Sequence, residues 1–109
     1  LITVHIHDIS TTTDIYVPII NAGTVSKLQT VTSGTIAGAD LVITAYNSSS
    51  ASMGNLTVTQ SLSAAGDVDV LSPSSNNTVT AGSYIRINGN GGPSSHVDVM
   101  LLIAVDRTS

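Results

Sequence analysis

Val97-Asp98-Val99-Met100-Leu101-Leu102-Ile103-Ala104-Val105 decides the fold. Its odd-numbered residues are all β-branched or leucine, the period of two that puts one set of side chains on each face of a strand. The alternate residues Met100, Leu102 and Ala104 are apolar as well, so the run reads as a central strand covered on both sides.

Shorter runs with the same period precede it. Ile2, Val4 and Ile6 alternate with Thr3, His5 and His7; Asp14 to Ile19 reads as a short strand. Pro18 removes a backbone donor there and predicts an edge or a strand end. In Thr24 to Thr32 the apolar phase slips between Val25 and Leu28, which predicts a bulge near Lys27. Leu41, Ile43 and Ala45, then Leu56 and Val58, then the weaker pair Val68 and Val70, then Ile85 and Ile87 complete the series. Turn residues separate the runs: Asn21 to Gly23, Ser33-Gly34, Asn47 to Gly54, Ala65 to Asp67, Ser72 to Asn77, Ala81-Gly82 and Asn88 to Pro93. No window carries an apolar stripe at helical spacing. The pattern predicts one all-β domain over residues 1–109, an antiparallel β-sandwich, as a jelly roll of seven or eight strands.

Composition narrows the function. Charged residues make up only 9% of the chain, the acids are all Asp, and the cations are Lys27, Arg86 and Arg107. Three scattered cations at a net charge of −4 speak against a nucleic-acid site, which needs clustered Lys and Arg. Val99 to Val105, the longest apolar run, is far short of a membrane-spanning helix, so no membrane partner is expected. Cysteine is absent, so no disulfide supports the core. A small domain with so little surface charge is poorly protected against association. Part of its surface is therefore expected to lie against a partner or copies of itself.

Few residues suggest chemistry. His5 and His7 share one strand face, a workable metal-ligand pair, and His96 and Asp98 can add ligands if the first and last strands pair. Three copies of one histidine around a trimer axis are another route. Cupin enzymes follow such a pair with Glu, and this chain has none. A polar solvent face explains both histidines more simply, so the reading takes no metal and no cofactor, with His5 and His7 as the candidates. Asp67 and Asp69 read as a charged strand edge that discourages wrong pairing rather than as a catalytic pair. No G-x-S-x-G nucleophile turn occurs, and Gly89 to Gly92 lacks the Lys of a phosphate-binding loop. Asn47, Asn55 and Asn76 begin glycosylation-type triplets, expected by chance in a chain this rich in Asn, Ser and Thr. No catalytic residues are assigned, and the chain is read as a non-enzyme. Interface anchors are expected by residue type at Tyr16, Tyr46, Tyr84 and Arg86.

Val58 to Asp69, containing Ser63-Ala64-Ala65-Gly66-Asp67-Val68-Asp69, is followed by Asn77-Thr78-Val79, Ala81-Gly82 and a strand; Asp14 to Pro18 and Gly23 to Val25 open the chain. This order resembles small capsid decoration (cement or stapling) proteins of tailed bacteriophages. Ser83 stands where Asp often follows Ala-Gly in that group, which removes a carboxylate but keeps the turn. The resemblance implies a sandwich or jelly roll on the outer surface of the virion. It would bind the major capsid protein as a homo-dimer or homo-trimer and tie the capsid lattice together, without catalysis. The alternative is a receptor- or carbohydrate-binding β-sandwich module of a phage fibre or adhesin, which should expose tyrosines beside polar loops.

Overall fold

The structure, a computed structural model, describes residues 2–7, 9, 10, 12–60, 65–94 and 97–107. Nine strands and no helix occur among them: β1 (Ile2–Ile6), β2 (Thr12–Pro18), β3 (Gly23–Thr32), β4 (Leu41–Tyr46), β5 (Ser52–Val58), β6 (Val68–Leu71), β7 (Thr78–Val79), β8 (Tyr84–Asn90) and β9 (Val99–Arg107). One sheet runs β1-β9-β3-β6, with the two-residue β7 also on β3; the other runs β2-β8-β4-β5. Every pairing is antiparallel. With β7 set aside, the chain winds between the sheets as a double Greek key, the wrapping of a jelly roll.

The core lies between the sheets because alternate residues of each strand are apolar. Val25, Leu28, Leu101 and Ile103 come from the five-stranded sheet; Leu41, Ile43, Ile85 and Ile87 come from the four-stranded one. Ile9 and Ile36 enter from loops and are equally buried. The register of β3 on β9 shifts between Val25 and Lys27, and this bulge brings Val25 and Leu28 onto the same inner face. Pro18 ends β2, and β2 is an edge strand, so the missing donor costs no ladder bond.

The structure corrects four expectations. β9 is central, between β1 and β3, but it is covered on one side only: Met100 is 41% exposed. The parity of β6 is inverted, with Val68 and Val70 outward at 53% and 50% exposure and Asp69 opposite the buried Thr30. Inward charge on a strand at the sheet margin reaches water around the edge and still blocks edge-to-edge pairing. β5 begins at Ser52, inside the segment read as loop. Gly54 takes a φ of 127° there, beside a register shift at Ala45 and Tyr46. β8 likewise runs to Asn90, so Gly89 is a buried strand residue opposite Ile43 rather than part of a loop.

Asparagine amides fix the ends of the sandwich. Asn47 accepts from the backbone of Ser49 and Ala51 and donates to the Asn76 carbonyl, while Asn76 donates to the Ser52 carbonyl. Asn77 donates to the carbonyls of Val25 and Pro73, docking β7 on β3. The Ala81-Gly82 turn keeps its form through Ser83, whose hydroxyl donates to the Thr80 carbonyl at 2.6 Å.

Candidate functional site

Tyr16, Tyr46, Tyr84 and Arg86 lie on the outer face of the four-stranded sheet. Register makes this so: Tyr16 and Tyr46 stand opposite Arg86 on either side of it, and Tyr84 stands opposite Pro18. Tyr16 is 60% exposed and meets Tyr84 edge to face, with ring centres 5.2 Å apart. The Arg86 guanidinium carbon lies 4.0 Å from the centre of the Tyr46 ring, and its Nη1 reaches Asp14 at 3.3 Å. Tyr46 and Arg86 are half-buried as a result.

Sequence reasoning missed the polar row beside these four. Asn88 donates to the same Asp14 oxygen at 3.0 Å, and the Thr44 hydroxyl donates to Asn55 at 2.8 Å. The Asn88 amide, followed by the Arg86 charge, holds the Asp14 carboxyl below the usual carboxylate range. The signal was present in the parity: Asp14 and Tyr16 are two apart, as are Tyr84, Arg86 and Asn88. The result is a sheet face of two tyrosines, one stacked arginine pair and a row of amides and hydroxyls.

The outer face of the five-stranded sheet differs. Met100 stands opposite Val31, which stands opposite Val68; Leu102 stands opposite Gln29, which stands opposite Val70. This face is apolar at its centre, with Val68, Val70 and Met100 exposed.

At one end of that face the first and last strands bring His5, His7 and Asp98 together. His5 Nε2 and His7 Nδ1 each lie 3.2 Å from a different carboxylate oxygen of Asp98. His96 lies outside the described residues. Asp67 and Asp69 do not form a pair open to solvent: both are half-buried, and burial first, then the charge of Asp67, raises the Asp69 carboxyl.

Two open clefts lie among the described residues. One of about 220 Å³ is lined by Ile2, Ile19, Ile20, Val105 and Arg107, where the sheets part. The other, of about 190 Å³, is lined by hydroxyls and the Asn47 amide beside β7.

No protein-family model and no curated protein matches the chain. A solved structure of a family 6 carbohydrate-binding module is similar over 89% of this chain and 67% of its own, with a TM-score of 0.48 and 17% identity. A likeness of that degree carries no argument about ligand. The β-sandwich stands on the strand pairing of the chain itself.

Proposed function

We propose that this chain is a non-enzymatic binding module that attaches to a repeated protein surface, as a capsid decoration protein attaches to the major capsid protein on the outside of a phage head. One observation carries the reading: Tyr16, Tyr46, Tyr84 and Arg86 converge on one sheet face. Tyrosine and arginine dominate the energetics of protein interfaces, and they do so when clustered. Here the tyrosines need little ordering, because Tyr16 is braced by Tyr84 and Tyr46 by Arg86. A sheet face of this make-up suits another folded surface. The outer face of the five-stranded sheet, with Met100, Leu102, Val68 and Val70, is assigned to a second copy, since contacts between identical subunits are the more apolar class. Two modules paired through that face would then join neighbouring lattice subunits, each holding one through its tyrosine face.

A second reading draws on the same face. Tyr16 beside the Asp14 and Asn88 pair places an apolar platform next to hydrogen-bonding groups, which also suits a sugar ring.

The test is co-sedimentation with capsids that lack the protein, followed by their resistance to heat. Saturable binding at a fixed copy number with raised heat resistance supports the lattice reading. Tyr16→Ala and Arg86→Ala should each weaken binding about tenfold or more. No capsid binding, or binding indifferent to both substitutions, overturns it. Retention on a glycan array that depends on Tyr16 would select the second reading.

A further inference from the structure

We infer that His5, His7 and Asp98 form a binding site for a divalent transition-metal ion, with zinc as the best fit. The three side chains come from two strands, and their convergence follows from the β1 to β9 pairing. Ile6 stands opposite Val99, so the next step along the ladder brings His7 beside Asp98, and His5 follows on the same outward face. One ligand atom from each residue lies within 4.8 Å of the other two.

The spacing matches the ion. Zinc bonds to imidazole nitrogen and carboxylate oxygen are about 2.0–2.2 Å long, so neighbouring ligands in a tetrahedron stand about 3.3–3.6 Å apart. The two imidazole nitrogens lie 3.2 Å from different Asp98 oxygens, close to that spacing, and side-chain rotations that bring all three donors onto one centre would admit the ion. Two imidazoles and one carboxylate are a nitrogen-rich donor set. It suits zinc, copper, nickel or iron better than calcium or magnesium, which prefer oxygen alone.

The main chain that carries the carboxylate is held in advance. The Asp98 amide donates to the Ser33 hydroxyl at 3.1 Å, and the Ser33 amide donates to the Asp98 carbonyl at 3.0 Å. On the other side the Ile9 amide donates to the Val97 carbonyl at 3.0 Å, extending the β1 side of the ladder past His7. The main chain on each side of the site is thus fixed, and ordering it costs the ion little. The three cationic residues are placed elsewhere: Lys27 opposite Ala104, Arg107 opposite Gly23, and Arg86 on the other sheet beside Asp14. A bound cation would thus bring positive charge to a part of the sheet whose sequence supplies none through Lys or Arg.

The ion would act as a clasp. β1 is an edge strand whose ladder partner is β9, and it spans five residues. Joining His5 and His7 to Asp98 through a metal ties the far end of that strand to the centre of the sheet. Three protein ligands leave further coordination positions for water or for a donor from a neighbouring molecule.

The experiment is calorimetric titration of the chelator-treated protein with zinc chloride, with thermal melting of the same samples. One zinc per chain is expected, with a rise in Tm on binding. His7→Ala and Asp98→Asn should each weaken binding about tenfold or more and abolish the Tm rise. Asp98→Asn retains the backbone bonds to Ser33, so it separates loss of a ligand from loss of structure. In the unsubstituted protein the ring-nitrogen resonances of both His5 and His7 should shift on adding zinc. Absence of stoichiometric binding, full-strength binding by folded variants, or shifts confined to His96 would overturn the inference.

Discussion

The guanidinium carbon of Arg86 stands 4.0 Å from the centre of the Tyr46 ring, while Nη1 of the same group bonds Asp14 across the strand on its other side. One side chain thus couples β2, β8 and β4 on the outer face. Such a contact at a partly exposed site stabilises by about 0.5–1 kcal/mol. A double-mutant cycle of Tyr46→Leu and Arg86→Met, read by urea unfolding, should return a coupling energy of that size. Additive losses would mean that the ring and the cation merely lie close.

Asp14 should titrate below an ordinary carboxylate. Its main cause is the Asn88 amide, with Arg86 adding to it. Because the folded value is depressed, this contribution to stability is present above the unfolded value and is lost as pH falls through the folded one. Asn88→Leu should move the Asp14 titration upward, followed by the NMR shift of its carboxyl carbon.

Asp69 should behave in the opposite sense. Burial, reinforced by the charge of Asp67, raises its carboxyl value. A raised folded value favours the protonated acid, so its contribution is full below the unfolded value and lost as pH rises through the folded one. The ionised side chain therefore opposes folding at neutral pH. Asp69→Asn should raise Tm at neutral pH, and the gain should shrink as the pH is lowered through the carboxylate range.

Thr30 faces the core between Leu28 and Thr32 on β3, and its hydroxyl is fully buried without a hydrogen-bond partner among the described residues. An unsatisfied buried hydroxyl is destabilising, so Thr30→Val should stabilise the fold by about 1 kcal/mol. The denaturation midpoint should rise with an unchanged slope.

Gly23 pairs with Arg107 on one side and Val79 on the other. An added Cβ would run into the Asp106 carbonyl and lie 2.9 Å from a Val105 methyl. Gly23→Ala should cost about 1–3 kcal/mol, since backbone on a paired strand cannot step aside. A smaller loss in the unfolding free energy would show that the end of β9 yields.

Much of this architecture could be read in the chain before folding. The slip between Val25 and Leu28 located a bulge, and Pro18 located an edge, because both are local steric or periodic facts. β6 escaped because a period of two does not say which parity faces inward. At an edge strand, Asp69 can turn inward and still reach water. β7 is two residues long and shows no period at all. Gly54 looked like a loop residue because glycine marks both loops and strand bulges. Of the candidate residues, the tyrosines and Arg86 could be named by type, but their meeting depends on β2, β8 and β4 lying side by side. The link between Asp98 and the histidines likewise depends on pairing across most of the chain, which residue patterns leave open.

The β1 to β9 ladder also sets where the molecule can be tethered. Ile2 stands opposite Ile103, and Ile2 and Arg107 border the same cleft, so both ends of the described chain emerge at one pole. His7 and Asp98 lie at the other end of that ladder. A passenger polypeptide grafted at either end would hang from that single pole, clear of both broad sides. A tether at that pole would therefore leave both sheet faces open to solvent.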